Sequence, residues 1–217
     1  MIPEVIIHNS VSLDSSLTGF VVNMRLHYGI AGTFDADMHL VGSNTARTGI
    51  DMFFEEVPKE SYSDFKKPDK QGMLWAIPDS TGKLKGLLHI LRQSEYCRDV
   101  VLFISQSTPR DYIEYLKERD YDYHVVGDDK CDLEMGLDIL NRIYDAKTIL
   151  TDTGCILSNT LLEKRLVSRI SLLVHPVIVG KGSYRMFGSI SNGPRLSLAR
   201  RKFFENSYVW LVYDVDN

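Results

Sequence analysis

Lys147–Gly182, KTILTDTGCILSNTLLEKRLVSRISLLVHPVIVGKG, is the stretch whose residue types decide how the chain folds. Ile149–Thr151 is an apolar strand end, Asp152-Thr153-Gly154-Cys155 a small-residue turn, and Ser158–Arg165 is helical in character. Arg169–Val179 is β-branched and apolar and closes at Gly180-Lys181-Gly182. A strand that enters a helix through such a turn presents free backbone N–H groups and the positive end of the helix dipole. That arrangement suits phosphate, and glycine at 154 lets a pyrophosphate approach the backbone closely. The chain contains no G-x-G-x-x-G, the usual dinucleotide fingerprint. Taken alone, a strand-turn-helix unit with one glycine is also an ordinary connection.

The same alternation extends on either side of this stretch. Val5–Val11, Met38–Val41, Met73–Ile77, Val100–Ile104 and Tyr121–Val126 read as strands, and Leu87–Leu91 continues an extended apolar pattern. Phe20–Ala31, a segment through Phe54 capped by Ser43 or Asn44, and Asp132–Tyr144 read as helices. A further helix to about Arg119 is capped by Ser107 or Thr108, with Pro109 at its first position. Glu55–Gln71 is a polar surface excursion, and Pro78–Gly82 is a turn by composition. Arg195–Phe204 and Ser207–Val215, joined by Glu205-Asn206, form an antiparallel hairpin at one sheet edge, where Arg200-Arg201-Lys202 discourages further pairing. The expectation is one α/β domain over 1–217: three layers, a mixed and mostly parallel sheet flanked by helices, and a C-terminal antiparallel hairpin. In such a sheet the Asp152–Ile156 turn and Gly42–Thr45 both lie at strand C-termini, where the crevice opens.

Composition narrows the function classes. The 217 residues carry a formal net charge of −4 and no long Lys/Arg run, which argues against a nucleic-acid surface. Cys97, Cys131 and Cys155 are odd in number and far apart, without C-x-x-C, so neither zinc nor a disulfide framework is indicated and no metal site is expected. Reduced thiols and an N-terminus unlike a signal peptide fit a cytoplasmic protein. No apolar run approaches the roughly 20 residues that span a bilayer.

Three blocks in order carry a resemblance: HNSVSLDSSLTGF, MHLVGSNTARTGI and the segment from Thr151 to Gly182. Together they resemble the reductases of riboflavin biosynthesis. These are the C-terminal domain of the bacterial bifunctional deaminase-reductase and the stand-alone archaeal and fungal diaminopyrimidine-ribosylamine phosphate reductases, which share a dihydrofolate-reductase-like fold. Ser12-Leu13-Asp14 matches the family's S-L-D-G, with Ser15 in place of the glycine. Val41-Gly42-Ser43-Asn44-Thr45 matches V-G-x-x-T, and Asp79-Ser80 matches a D-S pair after the third strand. Asp152-Thr153-Gly154, then Leu157-Ser158-Asn159 and Leu166-Val167, match the acidic-glycine turn, with Thr153 and Cys155 standing for glycines.

The resemblance implies an NADPH-dependent enzyme that reduces a phosphorylated pyrimidine ribosylamine to the ribitylamine by hydride transfer. It implies catalytic roles for Asp14 and Asp152. Cofactor contacts are implied at Gly42, Thr45, Asp79, Ser80, Ser105, Gly127, Thr153, Gly154, Cys155 and Ile156. Lys181 and Arg185 are candidates for a substrate phosphate by charge alone. His8 and His175 read as satisfied buried histidines. The alternatives are a pteridine or dihydrofolate-like reductase on the same fold, and a binding module that kept the fold without the cofactor. A homodimer is implied, with the Leu172–Val179 run and the apolar strand Tyr208–Tyr213 offered as interface.

Overall fold

The computed structural model of the protein describes residues 2–216. They form two compact units, one made of Asp37–Ala146 and the other of Ile2–Ala36 together with the chain from Lys147 onward. Among the described residues there are nine strands and six α-helices. Seven of the nine strands lie in parallel ladders, and a C-terminal hairpin is antiparallel.

In the Asp37–Ala146 unit, β2 (Met38–Leu40), β3 (Leu74–Pro78), β4 (Asp99–Ile104) and β5 (Asp122–Val125) run parallel in the order β5-β4-β3-β2. Every residue of β4 is buried, as its unbroken apolar run requires of a strand covered on both faces. Helices α2 (Ser43–Phe53), α3 (Leu88–Gln93), α4 (Arg110–Glu118) and α5 (Leu133–Tyr144) belong to this unit. Ile50, Ile77, Leu84, Leu88, Leu102, Ile104, Tyr112 and Leu116 are among its core residues.

The Leu87–Leu91 segment was expected to be extended, but it forms α3. Leu88 to Arg92 are all buried there, His89 and Arg92 included, and a short run buried on every side carries no period that separates strand from helix. Helix geometry delivers Arg92 to Asp99 at the start of β4, with Nε to Oδ1 at 2.9 Å and Nη2 to Oδ2 at 3.1 Å. The expected side-chain caps also differ. Gly42, not Ser43 or Asn44, caps α2, and Pro109 sits at the cap of α4 with no side-chain bond. The Thr108 hydroxyl instead accepts from Ser105 N and donates to Ser80 O, tying two loops together.

In the second unit, β6 (Thr148–Thr151), β1 (Glu4–Ser12) and β7 (Arg169–His175) are parallel neighbours in that order. β9 (Val209–Asp216) pairs antiparallel with β7, and β8 (Arg195–Phe203) antiparallel with β9. β7 stops at His175 because Pro176 has no N–H for a ladder. Helix α1 (Met24–Ala31) begins after Asn23, whose side chain accepts from Leu26 N, so Phe20–Val22 of the expected helix lie outside the observed one. Ile30 on α1 packs with Leu173, Trp210 and Val212. Helix α6 (Cys155–Glu163) follows β6. β9 lies between β7 and β8, so Tyr208–Tyr213 is not an open edge: the edge is β8, exposed along its whole length. Among the described residues no helix is long and apolar enough to cross a membrane.

Candidate functional site

In the second unit the acidic turn joins β6 to α6. Asp152 and Thr153 follow β6, and Gly154 is the N-cap of α6 with no side-chain cap bond. Gly154 has φ −68° and ψ 173°, backbone that any residue adopts, so only the missing side chain, not a special conformation, distinguishes glycine here. Thr153 and Cys155, which stand for glycines of the family, are 1% and 9% exposed. Both are therefore buried in the turn. Ile156 is exposed. Asn9 on β1 clamps the turn from beneath, its amide donating to Asp152 O at 3.1 Å and Thr153 O at 3.2 Å. The Ser158 hydroxyl adds a bond to Thr153 O at 3.3 Å.

Beside the turn lies a layer of buried polar groups on β1, α1 and β7. Trp210 Nε1 donates to Ser171 Oγ at 2.8 Å, and Ser171 Oγ lies 2.9 Å from His8 Nδ1. His8 Nε2 lies 3.1 Å from His27 O, a carbonyl that can only accept. The ring is therefore an Nε2–H tautomer, with Nδ1 accepting from Ser171. Burial, reinforced by the neighbouring His27, pushes the His8 pKa down to about 4. His175 is fixed in the same way, accepting from Asn23 N at Nε2 and bonded to Leu173 O through Nδ1, and burial lowers its pKa. Both histidines are satisfied core groups, as the sequence suggests.

His8 makes stability depend on pH. Its folded pKa lies below the unfolded value of about 6.5, so between these values the unfolded chain binds more protons and stability falls as pH falls. His8 is fully buried, and the loss amounts to about 3 kcal/mol between pH ~6.5 and ~4. His8→Gln keeps a donor and an acceptor but does not titrate. Urea denaturation of this variant should show a shallower loss over that range, and a slope equal to wild type would contradict the assignment.

Asp14 follows β1. Its Oδ1 accepts from the Ser12 hydroxyl at 2.6 Å and from Val179 N at 3.1 Å, and its Oδ2 from Gly180 N at 2.9 Å. The Ser12 hydroxyl first, then the Gly180 and Val179 amides, hold this carboxyl well below the usual range. A carboxylate so held carries no proton at neutral pH, and Asp14 anchors the segment after β7 to the exit of β1. Ser15, where the family has glycine, takes φ 65°, the left-handed conformation that glycine adopts without strain.

In the other unit the strand-end loops bring Asp79, Ser80, Ser105 and Gly127 into one connected cluster. The Asp79 carboxylate accepts from Lys83 N and Leu84 N, each at 2.9 Å. Ser105 is fully buried, its hydroxyl 3.0 Å from Ser107 Oγ and 3.3 Å from Asp129 O. Gly127 has φ 86°, and a Cβ there would collide with the Lys130 carbonyl, so the turn itself requires glycine. Gly42 caps α2 without side-chain help, and Thr45 is half-buried in the first turn of that helix. Two helices of the chain, α2 and α6, thus begin at a glycine with no side-chain cap, each straight after a parallel strand.

Two residues of the second unit were missed by sequence reading: Asn9, within β1, and His27, on the buried face of α1. The available signal for His27 was weak, a histidine one turn after the capping Asn23 and three before the core residue Ile30. Two cavities, of about 260 and about 350 Å³, lie elsewhere in that unit, one lined by residues such as Arg169 and Arg200 and the other by Glu163 and Arg195. Neither borders the Asp152 turn. Among the described residues no cluster of His, Cys, Asp and Glu is arranged to hold a metal ion.

The chain's fold is similar to that of a pyrimidine reductase-like protein from Corynebacterium diphtheriae, with TM-score 0.70 and 18% identity over 99% of this chain and 92% of that one. It is similar to the riboflavin biosynthesis reductase Rib7 of Saccharomyces cerevisiae, with TM-score 0.69 and 15% identity, covering 99% of this chain and 90% of that one. It also resembles RibD of Acinetobacter baumannii, with TM-score 0.69 and 14% identity over 99% of this chain, and spans 58% of that protein's length. No curated protein matches the sequence. These likenesses give the fold, a dihydrofolate-reductase-like arrangement. The RibD C-terminal domain family model matches residues 3–209, and the chain belongs to that family.

Proposed function

We propose that the protein is an NADPH-dependent reductase of the riboflavin-biosynthesis type, converting a phosphorylated pyrimidine ribosylamine to the ribitylamine. Family membership supports a pyrimidine reductase of that pathway. The observation that carries the cofactor reading is the strand–glycine–helix junction at Gly154, a helix N-terminus without a side-chain cap bond, of the kind that suits phosphate oxygens. The group's polar parts fit these residues, because Thr153 and Cys155 are buried in the turn.

NADPH, when bound, supplies the hydride. The chain's own part is to bind, orient and neutralise. Amides at the start of α6, with Gly154 and Ile156, hold phosphate; in the other unit, Gly42 and Thr45 at the start of α2 are candidates for the same kind of contact. Ser80 and Gly127 offer loop backbone to the nucleotide, while Asp79 and Ser105 fix the shape of those loops. Asp152 holds ribose hydroxyls or the amine of the pyrimidine. Asp14 sets the path of the chain at the end of β1, and Lys181 and Arg185 are the cations offered to the substrate phosphate.

Gly154→Val tests the turn. The backbone accepts valine at φ −68°, while its branched side chain fills the face needed by phosphate. Fluorescence titration with NADPH should show affinity lowered by about 100-fold or more in a folded variant, since phosphate contacts at a helix N-terminus are lost outright. Unchanged affinity would sink the assignment of this turn.

We also read the protein as a homodimer. Leu196, Leu198 and Phe203 on the β8 edge are 44%, 51% and 72% exposed, and Ile178 beyond β7 is 69% exposed. An uncovered apolar edge is an aggregation liability, and a two-fold partner is its commonest cover. Sedimentation at micromolar concentration should give a dimer. Phe203→Glu should then shift it towards monomer, and a wild-type monomer would contradict this reading.

A further inference from the structure

His27 is the polar residue of the buried layer with its ring turned towards the acidic turn. It is 6% exposed, and its Nδ1 lies 3.0 Å from Ser10 Oγ. Its Nε2 lies 3.7 Å from Asp152 Oδ2, beyond a direct hydrogen bond but within ion-pair range. Its ring stacks on His8, with centroids 4.5 Å apart, and meets Tyr28 edge-on at 5.0 Å. The neighbours settle the tautomer. A lone pair on Nε2 would face the Asp152 carboxylate and be repelled by it, so Nε2 carries the proton and Nδ1 accepts from the Ser10 hydroxyl. His8 cannot replace it: both of its ring nitrogens are engaged by Ser171 and the His27 carbonyl.

The Asp152 backbone is held by Asn9, and His27 Nε2 faces its carboxylate. We propose that Ser10 and His27 form a positioning pair that holds the Asp152 carboxylate in its working orientation, Ser10 anchoring the imidazole at Nδ1 and His27 presenting Nε2–H. This role rests on the reductase reading of the site. The pair is built entirely from β1, α1 and the end of β6, and it requires neither Asp14 nor the loops of the other unit.

The test uses the full chain as wild type and as Ser10→Ala, His27→Leu, His27→Gln, Asp152→Asn and His27→Leu/Asp152→Asn. Nitrogen-15 NMR of the His27 ring at pH 9 should show a single Nε2–H tautomer in wild type, kept in Ser10→Ala, and a mixture in Asp152→Asn. A ring protonated at Nδ1 in wild type would overturn the proposal, and this measurement does not depend on any activity. In NADPH turnover with the ribosylamine phosphate, His27→Leu should lower kcat about 10- to 100-fold with KM changed less than about 3-fold, the cost of a misdirected group. His27→Gln, with a donor and an acceptor in one plane, should recover most of that loss. In the Asp152→Asn background, His27→Leu should change kcat by less than about 2-fold, because coupled residues are not additive. Equal losses in the leucine and glutamine variants, or full additivity with Asp152→Asn, would mean that His27 only fills space and would overturn the role. If wild type turns over no substrate, the reductase reading fails, while the tautomer in wild type and Asp152→Asn still decides the geometry.

Discussion

Arg92→Leu is expected to destabilise the protein by about 3–5 kcal/mol, the cost of leaving a buried carboxylate without its partner. Arg92 is 4% exposed and Asp99 7%. The guanidinium makes both bonds to the Asp99 carboxylate and donates to the carbonyls of Asp64 at 2.9 Å, Arg119 at 2.8 Å and Asp120 at 3.2 Å. It also lies 3.8 Å from the centroid of the Tyr121 ring. One side chain thereby joins α3, the start of β4, the Tyr62–Phe65 turn and the exit of α4. For a fold of ordinary stability, about 5–15 kcal/mol, the loss is a large share of the total. Urea denaturation measures it. Arg92→Leu combined with Asp99→Leu should cost less than Arg92→Leu alone, since no charge is then stranded. A single variant within about 1 kcal/mol of wild type would show that the pair is not the joint described here.

Asp152→Asn should lower kcat by about 100- to 1,000-fold, the range for a positioned carboxylate that interacts with the reacting group. The change conserves volume, and the backbone stays clamped because Asn9 bonds to the carbonyls of Asp152 and Thr153, not to the altered side chain. NADPH affinity should stay within about 3-fold of wild type, since the phosphate contacts are backbone amides of α6. Steady-state turnover beside a fluorescence titration separates the two effects. A kcat within about 3-fold of wild type would remove Asp152 from the chemistry.

Elements of the sequence with a clear period or a clear stop were legible. β4 is a continuous apolar run, α5 carries leucines at spacings of three and four behind the capping Asp132, and β8 and β9 are joined by a short connection around the Glu205–Ser207 turn. α3 was not legible because a helix buried on all sides shows no polar face. The caps of α2 and α4 failed because a serine or threonine before a helix has other uses, and Thr108 spends its hydroxyl on two neighbouring loops. The order of the hairpin in the sheet also lay beyond the sequence, since either strand has apolar residues enough to pair with β7.

The candidate site was legible as backbone and less so as side chains. The turns at Gly42 and Gly154 are written in strand-to-helix transitions with glycine between them. What Asp14 does is not, because its partners Val179 and Gly180 lie 165 and 166 residues away in sequence. The same distance hides His27 from Asp152, and Asn9 from the turn it clamps. Gly127 shows the converse: its residue type suggests close approach of a ligand, while a collision with Lys130 already accounts for it.

The proposed function is reduction of a pyrimidine ribosylamine phosphate at the expense of NADPH. The most direct measurement mixes purified protein with NADPH and that substrate and follows cofactor oxidation and product together. The account predicts ribitylamine phosphate formed in equal amount to the NADPH consumed, with loss of turnover in Gly154→Val. A wild-type protein that neither binds NADPH nor consumes it in the presence of the substrate would contradict the account.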